Sequence, residues 1–367
     1  MSIDRRKLLR NSLGIGAAAI PLGALTVPAH SAEAARPTAL PDFTLALVDA
    51  QTKTVENYST GEIKYNAEGG RNYFGKPKAV FSTGVGDEAW RPLECKVRKL
   101  LSGETVFMVC GGDGANGRVT IHRQSDAAGL GAISGIPDFF PHSLEYLPTA
   151  DAIIVVGTRG LETQGLPKPP NMPPPGHEIT PGGSYMLFTA PNGLQRFEKV
   201  NAPGPFPFRQ AHGVTLDQNN KKRVWIYGGE KIQGFEVQGS GKFTKLEPVD
   251  GAIDIRWDFY ENGHDLQPDP LELQTLWATG TRHLLKIEKA ADHPSKTWDY
   301  PSVHAKSFSR HRSGIGIFTT DPANNGFGTN KVNFIWGEQQ MLTVQLGTDQ
   351  EQTSKQRKIY KARLTDI

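Results

Sequence analysis

The sequence has few cysteines and little excess charge of either sign. Only two cysteines occur among 367 residues, and two cysteines alone do not define a metal site. The formal net charge is +3, with 22% charged residues and basic residues scattered among acidic ones. Because no basic helix and no zinc-finger spacing is present, we expect no nucleic-acid partner. This composition is typical of a soluble globular protein rather than a disordered, collagenous or membrane one.

Several motifs of well-known enzyme classes are also absent. No Gly-x-Ser-x-Gly elbow occurs, and the glycine-dense stretch 111–117 joins two predicted strands, so it indicates a hairpin loop rather than a phosphate-binding loop. No convincing amphipathic helix follows residue 40. The chain holds 40 glycines and 26 prolines, as the many turns of an all-β protein require.

The N-terminus has the pattern of an export signal. Arg5 and Arg6 precede an apolar run from Gly14 to Val27, and the stretch 32–34 offers a small-x-small cleavage site. The run of about 14 residues is shorter than the roughly 20 that span a bilayer, so no membrane span is expected after signal removal. We predict a cleavable twin-arginine signal over residues 1–35, with a Sec signal or an uncut anchor as alternatives. The mature part, 36–367, is expected in the periplasm or outside the cell, as a monomer.

Cys95 and Cys110 flank a predicted hairpin turn at Ser102-Gly103. Counting outward from the centre of a two-residue turn places the two cysteines opposite each other on paired strands. Cβ atoms in such pairs lie about 4.5–5.5 Å apart, which suits a bridge after modest closure. We therefore predict a Cys95–Cys110 disulfide in the oxidising compartment, with two buried thiols as the alternative.

Past residue 40, short apolar runs alternate with Gly, Pro, Asn and Asp, which is typical of closely spaced β-strands. The clearest runs are Phe43–Val48, Thr105–Val109, Ala152–Val156, Arg223–Tyr227, Thr275–Ala278 and Val332–Trp336.

An internal repeat distinguishes among all-β folds. In three copies a histidine is followed by a short strand, a polar turn and a second strand; the histidines are His142, His212 and His264. Weaker copies begin at Lys96 and at Lys306. Most copies recur about every 40–50 residues, the length of a four-stranded propeller blade. The longer step from His142 to His212 indicates an insertion, predicted as a Pro-rich surface loop over 162–183.

We therefore predict an all-β fold: one β-propeller of about six four-stranded antiparallel blades, with seven as the alternative. The first blade opens at Phe43–Val48, and a C-terminal strand near Met341–Leu346 helps to close the ring. Closure removes exposed sheet edges.

The repeated motifs resemble those of an uncharacterised family of secreted bacterial β-propeller proteins. The motifs are Pro-His-Ser at 141–143, Ala-His-Gly-Val at 211–214, Gly-His-Asp-Leu at 263–266 and Lys-Ser-Phe-Ser-Arg-His at 306–311. The resemblance covers roughly residues 43–345 and implies the propeller fold, with no activity attached. The Pro-rich insertion departs from the compact pattern of that family.

Blade symmetry predicts a shared site for the histidines. The innermost strands of a propeller line a central channel, so His142, His212 and His264 are expected to point at one volume. Lys306 is expected on the next blade, with Lys96 or Arg98 completing the ring. The alternative is that these histidines only join neighbouring blades. Arg159 and Arg282, which follow matching strands, are predicted with Lys306, Lys96 and Asp265 to bind substrate.

The predicted function is that of a secreted carbohydrate-active enzyme, either a polysaccharide lyase or a glycoside hydrolase, acting on an acidic, uronate-containing carbohydrate. Cationic side chains stabilise the enolate that forms when a uronate loses its proton, and histidine is a suitable base. His142, His212 or His264 is therefore expected to act as the catalytic base and acid. A hydrolase would instead need two carboxylates, for which Asp265 is the best candidate.

Two alternatives remain open. The three histidines suit a catalytic divalent metal, although an ammonium at Lys306 would repel a cation. The third hypothesis is a non-enzymatic extracellular propeller that binds a ligand or a protein, because a fold does not settle a function.

Overall fold

A computed structural model describes most of the chain beyond residue 39. The described residues are 40–66, 70–83, 90–112, 116–158, 182–189, 197–229, 231–249, 251–255, 264–280, 283–290, 296–299, 304–322, 328–336, 340–347 and 357–365. The predicted signal over 1–35 lies outside these ranges, as does the predicted insertion over 162–183 apart from its last two residues.

The described chain forms six antiparallel sheets, each with four or five strands. From its innermost strand outward, the first blade contains β27 (Ile359–Leu364), β1 (Thr44–Asp49), β2 (Thr54–Ser59) and β4 (Ala79–Ser82). The second contains β5 (Arg91–Lys99), β6 (Thr105–Gly112), β7 (Asn116–Arg123) and β8 (Gly129–Pro137). The third contains β9 (Phe140–Leu147), β10 (Ala152–Thr158), β11 (Ser184–Thr189) and β12 (Glu198–Lys199), with β13 (Phe206–Pro207) also on β11.

The remaining three blades follow the same order. The fourth contains β14 (Gly213–Leu216), β15 (Arg223–Tyr227), β16 (Lys231–Gln238) and β17 (Lys245–Pro248), with β18 (Ile253–Asp254) also on β16. The fifth contains β19 (Asp265–Pro268), β20 (Thr275–Thr279), β21 (His283–Glu288) and β22 (Lys296–Asp299). The sixth contains β23 (Ala305–Arg310), β24 (Gly316–Thr320), β25 (Lys331–Trp336), β26 (Gln340–Gln345) and the parallel strand β3 (Asn72–Tyr73). Short 3₁₀ helices span Thr60–Glu62 and Gly241–Phe243.

The innermost strands contact one another in a closed ring, in the order β27, β5, β9, β14, β19 and β23. The protein is therefore a six-bladed β-propeller, and the predicted fold class is confirmed. No helix in the described part of the chain is long and apolar enough to cross a membrane.

The ring is closed by a different strand from the predicted one. The stretch near Met341–Leu346 forms β26, an outer strand of the sixth blade. The C-terminal strand β27 instead supplies the innermost strand of the first blade and pairs with β1. Its sequence carries Lys361 and Arg363, so it lacks the apolar pattern of a buried strand; the ion pairs described below are what permit its burial.

The core lies between adjacent blades, and the repeated sequence positions repeat their contacts. Trp225 Nε1 donates to Asp217 Oδ2 over 2.7 Å, and Trp277 Nε1 donates to Asp269 Oδ2 over the same distance one blade further on. The blades meet closely at Gly213, where a Cβ would lie 2.8 Å from both the Cβ and the backbone N of Leu266. Only glycine permits this approach between β14 and β19.

The predicted disulfide is absent: Cys95 and Cys110 are free, buried thiols. Cys95 lies opposite Val109, and Cys110 lies opposite Glu94. The turn holds three residues between the bonded pair Leu100 and Glu104, with Gly103 at φ 89°, so a count from a two-residue turn is wrong by one. A shift of one residue places side chains on opposite faces of a sheet, which separates the two thiols.

Candidate functional site

A β-bulge near the start of four of the six innermost strands marks the candidate site, and His212 and His264 hold the matching position just before the other two. Pro141 and Ser143 pair with consecutive residues of β10, which leaves His142 as the extra residue, and Lys306 is the extra residue in β23 in the same way. Bulges re-aim side chains and often lie beside active sites. The six equivalent positions, here called the bulge ring, are Tyr360, Leu93, His142, His212, His264 and Lys306.

The bulge ring brings the three predicted histidines together. The ring centroids of His142 and His212 are 4.1 Å apart, and those of His212 and His264 are 5.6 Å apart. Lys306 Nζ lies 3.3 Å from His264 Nε2, so the predicted lysine joins them. We call these four residues the histidine cluster.

Hydrogen bonds assign different roles to the imidazoles. His212 Nδ1 lies 2.8 Å from the carbonyl oxygen of Gln210, so Nδ1 carries the proton and Nε2 keeps its lone pair. His264 Nε2 accepts from the Lys306 ammonium, which places the proton of His264 on Nδ1. His142 Nε2 bonds Thr158 Oγ1 over 2.9 Å. Within the described part of the chain, Nδ1 of His142 and Nδ1 of His264 are buried with no hydrogen-bond partner.

Burial keeps these histidines neutral. Desolvation, followed by the positive charges of Lys361 and Lys306, lowers the pKa of His212 to about 4. Burial and neighbouring cations also hold the pKa values of His142 and His264 well below the usual range. The Lys306 pKa falls to about 8, because burial outweighs the opposing effect of the Asp321 carboxylate. At neutral pH the cluster therefore holds three neutral imidazoles and one ammonium.

One to three residues further along the innermost strands, buried side chains form an ion-pair network at the axis. Arg363 donates to Glu94 over 2.7 and 2.8 Å and to Asp265 over 2.7 and 2.6 Å. Lys361 Nζ donates to Glu94 over 2.9 Å and to the carbonyl oxygen of His142 over 3.2 Å. All four side chains are at most 3% exposed, so the site is closed beneath the histidine cluster. We call Glu94, Asp265, Lys361 and Arg363 the axial network.

Two predicted substrate ligands lie in this buried region instead of at the bulge ring. Asp265 is held by Arg363, and Lys96 Nζ bonds Glu145 over 3.3 Å and the carbonyl oxygen of Val214. The bulge-ring residue of the second blade is Leu93, three positions before Lys96. Glu145 is held further by Arg98 over 2.6 and 2.7 Å. Neither Lys96 nor Asp265 has an atom free to meet a substrate in this arrangement.

Sequence reasoning missed Tyr360, Lys361, Arg363 and Glu94. Glu94, Lys96 and Arg98 alternate with apolar residues, as do Lys361 and Arg363. This alternation is also the pattern of a strand with one solvent-facing side, so the sequence alone does not reveal that these ionisable side chains have buried partners.

The other two positions of the bulge ring hold an apolar and an aromatic residue. Leu93 and Tyr360 pack together, with Phe140 against them, and the Phe140 ring meets His142 edge-on at 5.1 Å. Trp90 is buried between the first two blades. The predicted ligands Arg159 and Arg282 lie outside the described residues, as do Trp257 and Tyr260.

The histidine cluster does not fit a divalent metal. Among the described residues, no group of three or more His, Cys, Asp or Glu side chains is arranged to hold one. The Lys306 ammonium occupies Nε2 of His264, and Lys361 adds a second positive charge nearby. A cation placed here would meet repulsion from both amines.

The sequence matches no protein-family model and no curated protein, so the family resemblance stays a prediction. Solved structures do match. The periplasmic gluconolactonase PpgL of Pseudomonas aeruginosa superposes with a TM-score of 0.53 at 10% identity, covering 88% of this chain and 98% of that one. A functionally unknown protein from Desulfotomaculum acetoxidans gives 0.47 at 9% identity, covering 88% and 80%. A protein of unknown function from Bacteroides caccae gives 0.46 at 8% identity, covering 83% and 94%. At these identities the likeness to PpgL concerns the fold alone: the chain is a six-bladed propeller similar in fold to that protein.

Proposed function

We propose that this protein is an exported carbohydrate lyase that removes a proton from a uronate residue at the histidine cluster. The observation that carries the proposal is the pairing of opposite roles within the histidine cluster. His212 offers the lone pair of Nε2, while Lys306 offers a cationic N–H donor. Elimination from a uronate needs both, because a base takes the proton while donors stabilise the enolate that forms.

The proton acceptor is His212. Its Nδ1–H donates to the carbonyl oxygen of Gln210, so the lone pair of Nε2 is available to accept a proton. The pKa of about 4 keeps the imidazole neutral at physiological pH. In the step, the C5–H bond of the uronate breaks and its proton moves to Nε2. The C4–O bond then breaks, a C4=C5 double bond forms, and the leaving oxygen takes up a proton.

Tyr360 is the candidate donor of that last proton. It belongs to the bulge ring, and its pKa is raised by burial and by the Glu94 and Asp265 carboxylates, so the phenol stays protonated. Its ring packs with Leu93 and Phe140.

The carboxylate of the substrate is assigned to Lys306. Lys361 Nζ has hydrogen bonds to Glu94 and to a backbone carbonyl, whereas Lys306 Nζ has one hydrogen bond and a 3.8 Å ion pair with Asp321 within the described residues.

The axial carboxylates disfavour glycoside hydrolysis. A glycosidase needs one carboxylic acid that is protonated at working pH. Although desolvation alone would raise their pKa values, ion pairs outweigh it: Arg98 and Lys96 lower the pKa of Glu145 to about 2, and Arg363 lowers those of Glu94 and Asp265. These groups stay ionised.

A second candidate reaction is hydrolysis of a sugar lactone. His212 could take a proton from water, and the Lys306 ammonium could stabilise the resulting oxyanion. PpgL, the neighbour of similar fold, is a periplasmic gluconolactonase.

The test is a panel of polyuronates, neutral glycans and aldonolactones with purified protein and with the His212→Gln variant. A lyase should produce ultraviolet-absorbing unsaturated ends from polyuronates alone, and His212→Gln should lower the rate about 100-fold or more. Acid release from lactones without unsaturated ends would favour the second reaction. Binding of uronates with no product of either kind would leave the non-enzymatic receptor as the account.

A further inference from the structure

Gln210 has an unusual backbone conformation beside the histidine cluster. Its φ is 49°, in the left-handed region that glycine favours, although it carries a long side chain and is only 3% exposed. Non-glycine residues seldom adopt this conformation, and such strain persists where the surroundings hold it in place.

The surroundings of Gln210 hold the conformation from two sides. Its backbone N donates to the carbonyl oxygen of Gly182 over 2.9 Å, and the backbone N of Phe208 donates to that of Gly183 over the same distance. Gly183 has φ 134°, and a Cβ there would lie 2.4 Å from the Gln210 N. On the other side a Cβ at Gly229 would lie 1.8 Å from Gln210 Oε1. Because Gly183 and Gly229 have no Cβ, they leave room for Gln210 in this conformation.

The result of this strain is the direction of one carbonyl group. The oxygen of Gln210 accepts the Nδ1 proton of His212, two residues later, over 2.8 Å. We infer that Gln210 is a positioning residue: its left-handed backbone aims its carbonyl at His212 and so keeps the lone pair on Nε2. The inference rests on the proposed function only for the use made of that lone pair.

A pair of substitutions tests the backbone conformation separately from the side chain. Gln210→Gly and Gln210→Val both remove the amide, but glycine accepts a positive φ freely whereas a β-branched residue does not. We expect Gln210→Gly to keep the wild-type tautomer of His212, seen in the ¹⁵N shifts of its ring. Gln210→Val should give a mixed tautomer and about 5–10-fold lower turnover at similar KM.

Unchanged ring shifts in folded Gln210→Val protein would overturn the inference. If no substrate in the panel is turned over, the proposed function fails. The ¹⁵N measurement still decides whether the backbone of Gln210 sets the tautomer of His212. If Gln210→Val does not fold, Gly183→Ala takes its place, because its Cβ presses on the Gln210 backbone. Gly103→Ala is the matched control: it has φ 89° and open space within 4 Å, so it adds the conformational strain without the contact. Equal ring shifts in these two variants would likewise contradict the assignment.

Discussion

Replacing Arg363 with methionine removes the guanidinium that joins Glu94 to Asp265 at the axis of the propeller. Four hydrogen bonds of 2.6–2.8 Å are lost, and two buried carboxylates are left with Lys361, 2.9 Å from Glu94 and 3.6 Å from Asp265. Breaking a buried ion pair by removing one partner costs about 3–5 kcal/mol. Because Arg363 lies on β27, the loss falls on the strand that closes the ring.

The assay is urea unfolding at pH 7, comparing the midpoints of the wild type and the variant at equal m-value. The control is Arg123→Met, which also removes an arginine with two carboxylate partners, at 2.6 Å to Glu104 and 2.9 Å to Asp126. Its side chain is 39% exposed. Exposed ion pairs contribute about 0–1 kcal/mol, so the losses of stability in the two variants should differ by about 2 kcal/mol or more.

The difference in unfolding free energy between the wild type and Arg363→Met should become smaller at acidic pH. The net pKa shift of Glu94 and Asp265 in the folded protein is downward, because the cations outweigh desolvation. Carboxylates with lowered folded pKa values stabilise the protein above their unfolded pKa values of about 4, and that stabilisation is lost as the pH falls. The gap between wild type and Arg363→Met should therefore shrink progressively below about pH 4. A loss at pH 7 no larger than that of Arg123→Met would refute the buried-network account.

Three further outcomes are expected. The value of kcat/KM should rise near pH 4, as His212 loses its proton, and fall near pH 8, as Lys306 loses its proton. The Lys306→Arg variant should lose activity only at a higher pH, because a guanidinium keeps its proton there. Lys306→Met should abolish turnover. It should also raise the free energy of unfolding at pH 7 by about 2–3 kcal/mol, because it removes a buried charged amine whose pKa is lowered to about 8. Urea unfolding should show this gain in stability disappearing between about pH 8 and pH 10, where the lysine of the wild type becomes neutral. A thiol reagent should titrate Cys95 and Cys110 in denaturant but react slowly with the native protein, because burial raises both thiol pKa values; a native disulfide would give no thiols at all.

The fold was predictable because each blade repeats a short local pattern. The histidine before the first strand and the tryptophan in the second recur at one spacing, and Trp225 and Trp277 make the same bond in the structure. The closing strand was not predictable in this way. Its Lys361 and Arg363 are typical of a surface strand until their distant partners Glu94 and Asp265 are known.

The candidate site was predictable in part. One residue per blade at one repeat position gave His142, His212, His264 and Lys306, which do meet. The repeat could not assign Lys96 correctly, because the second blade has Leu93 at the bulge and no histidine by which to set the register. The tautomer of His212 depends on the backbone direction at Gln210, which tertiary contacts determine and local sequence does not.

The central claim is that His212 takes a proton from a uronate at the histidine cluster. Incubating the protein with a polyuronate in D₂O, and following the C5–H signal by NMR, measures that step directly. The account predicts loss of the signal with the wild type and a rate at least about 100-fold lower with His212→Gln. An intact C5–H signal with the wild type, or equal loss with both proteins, would contradict it.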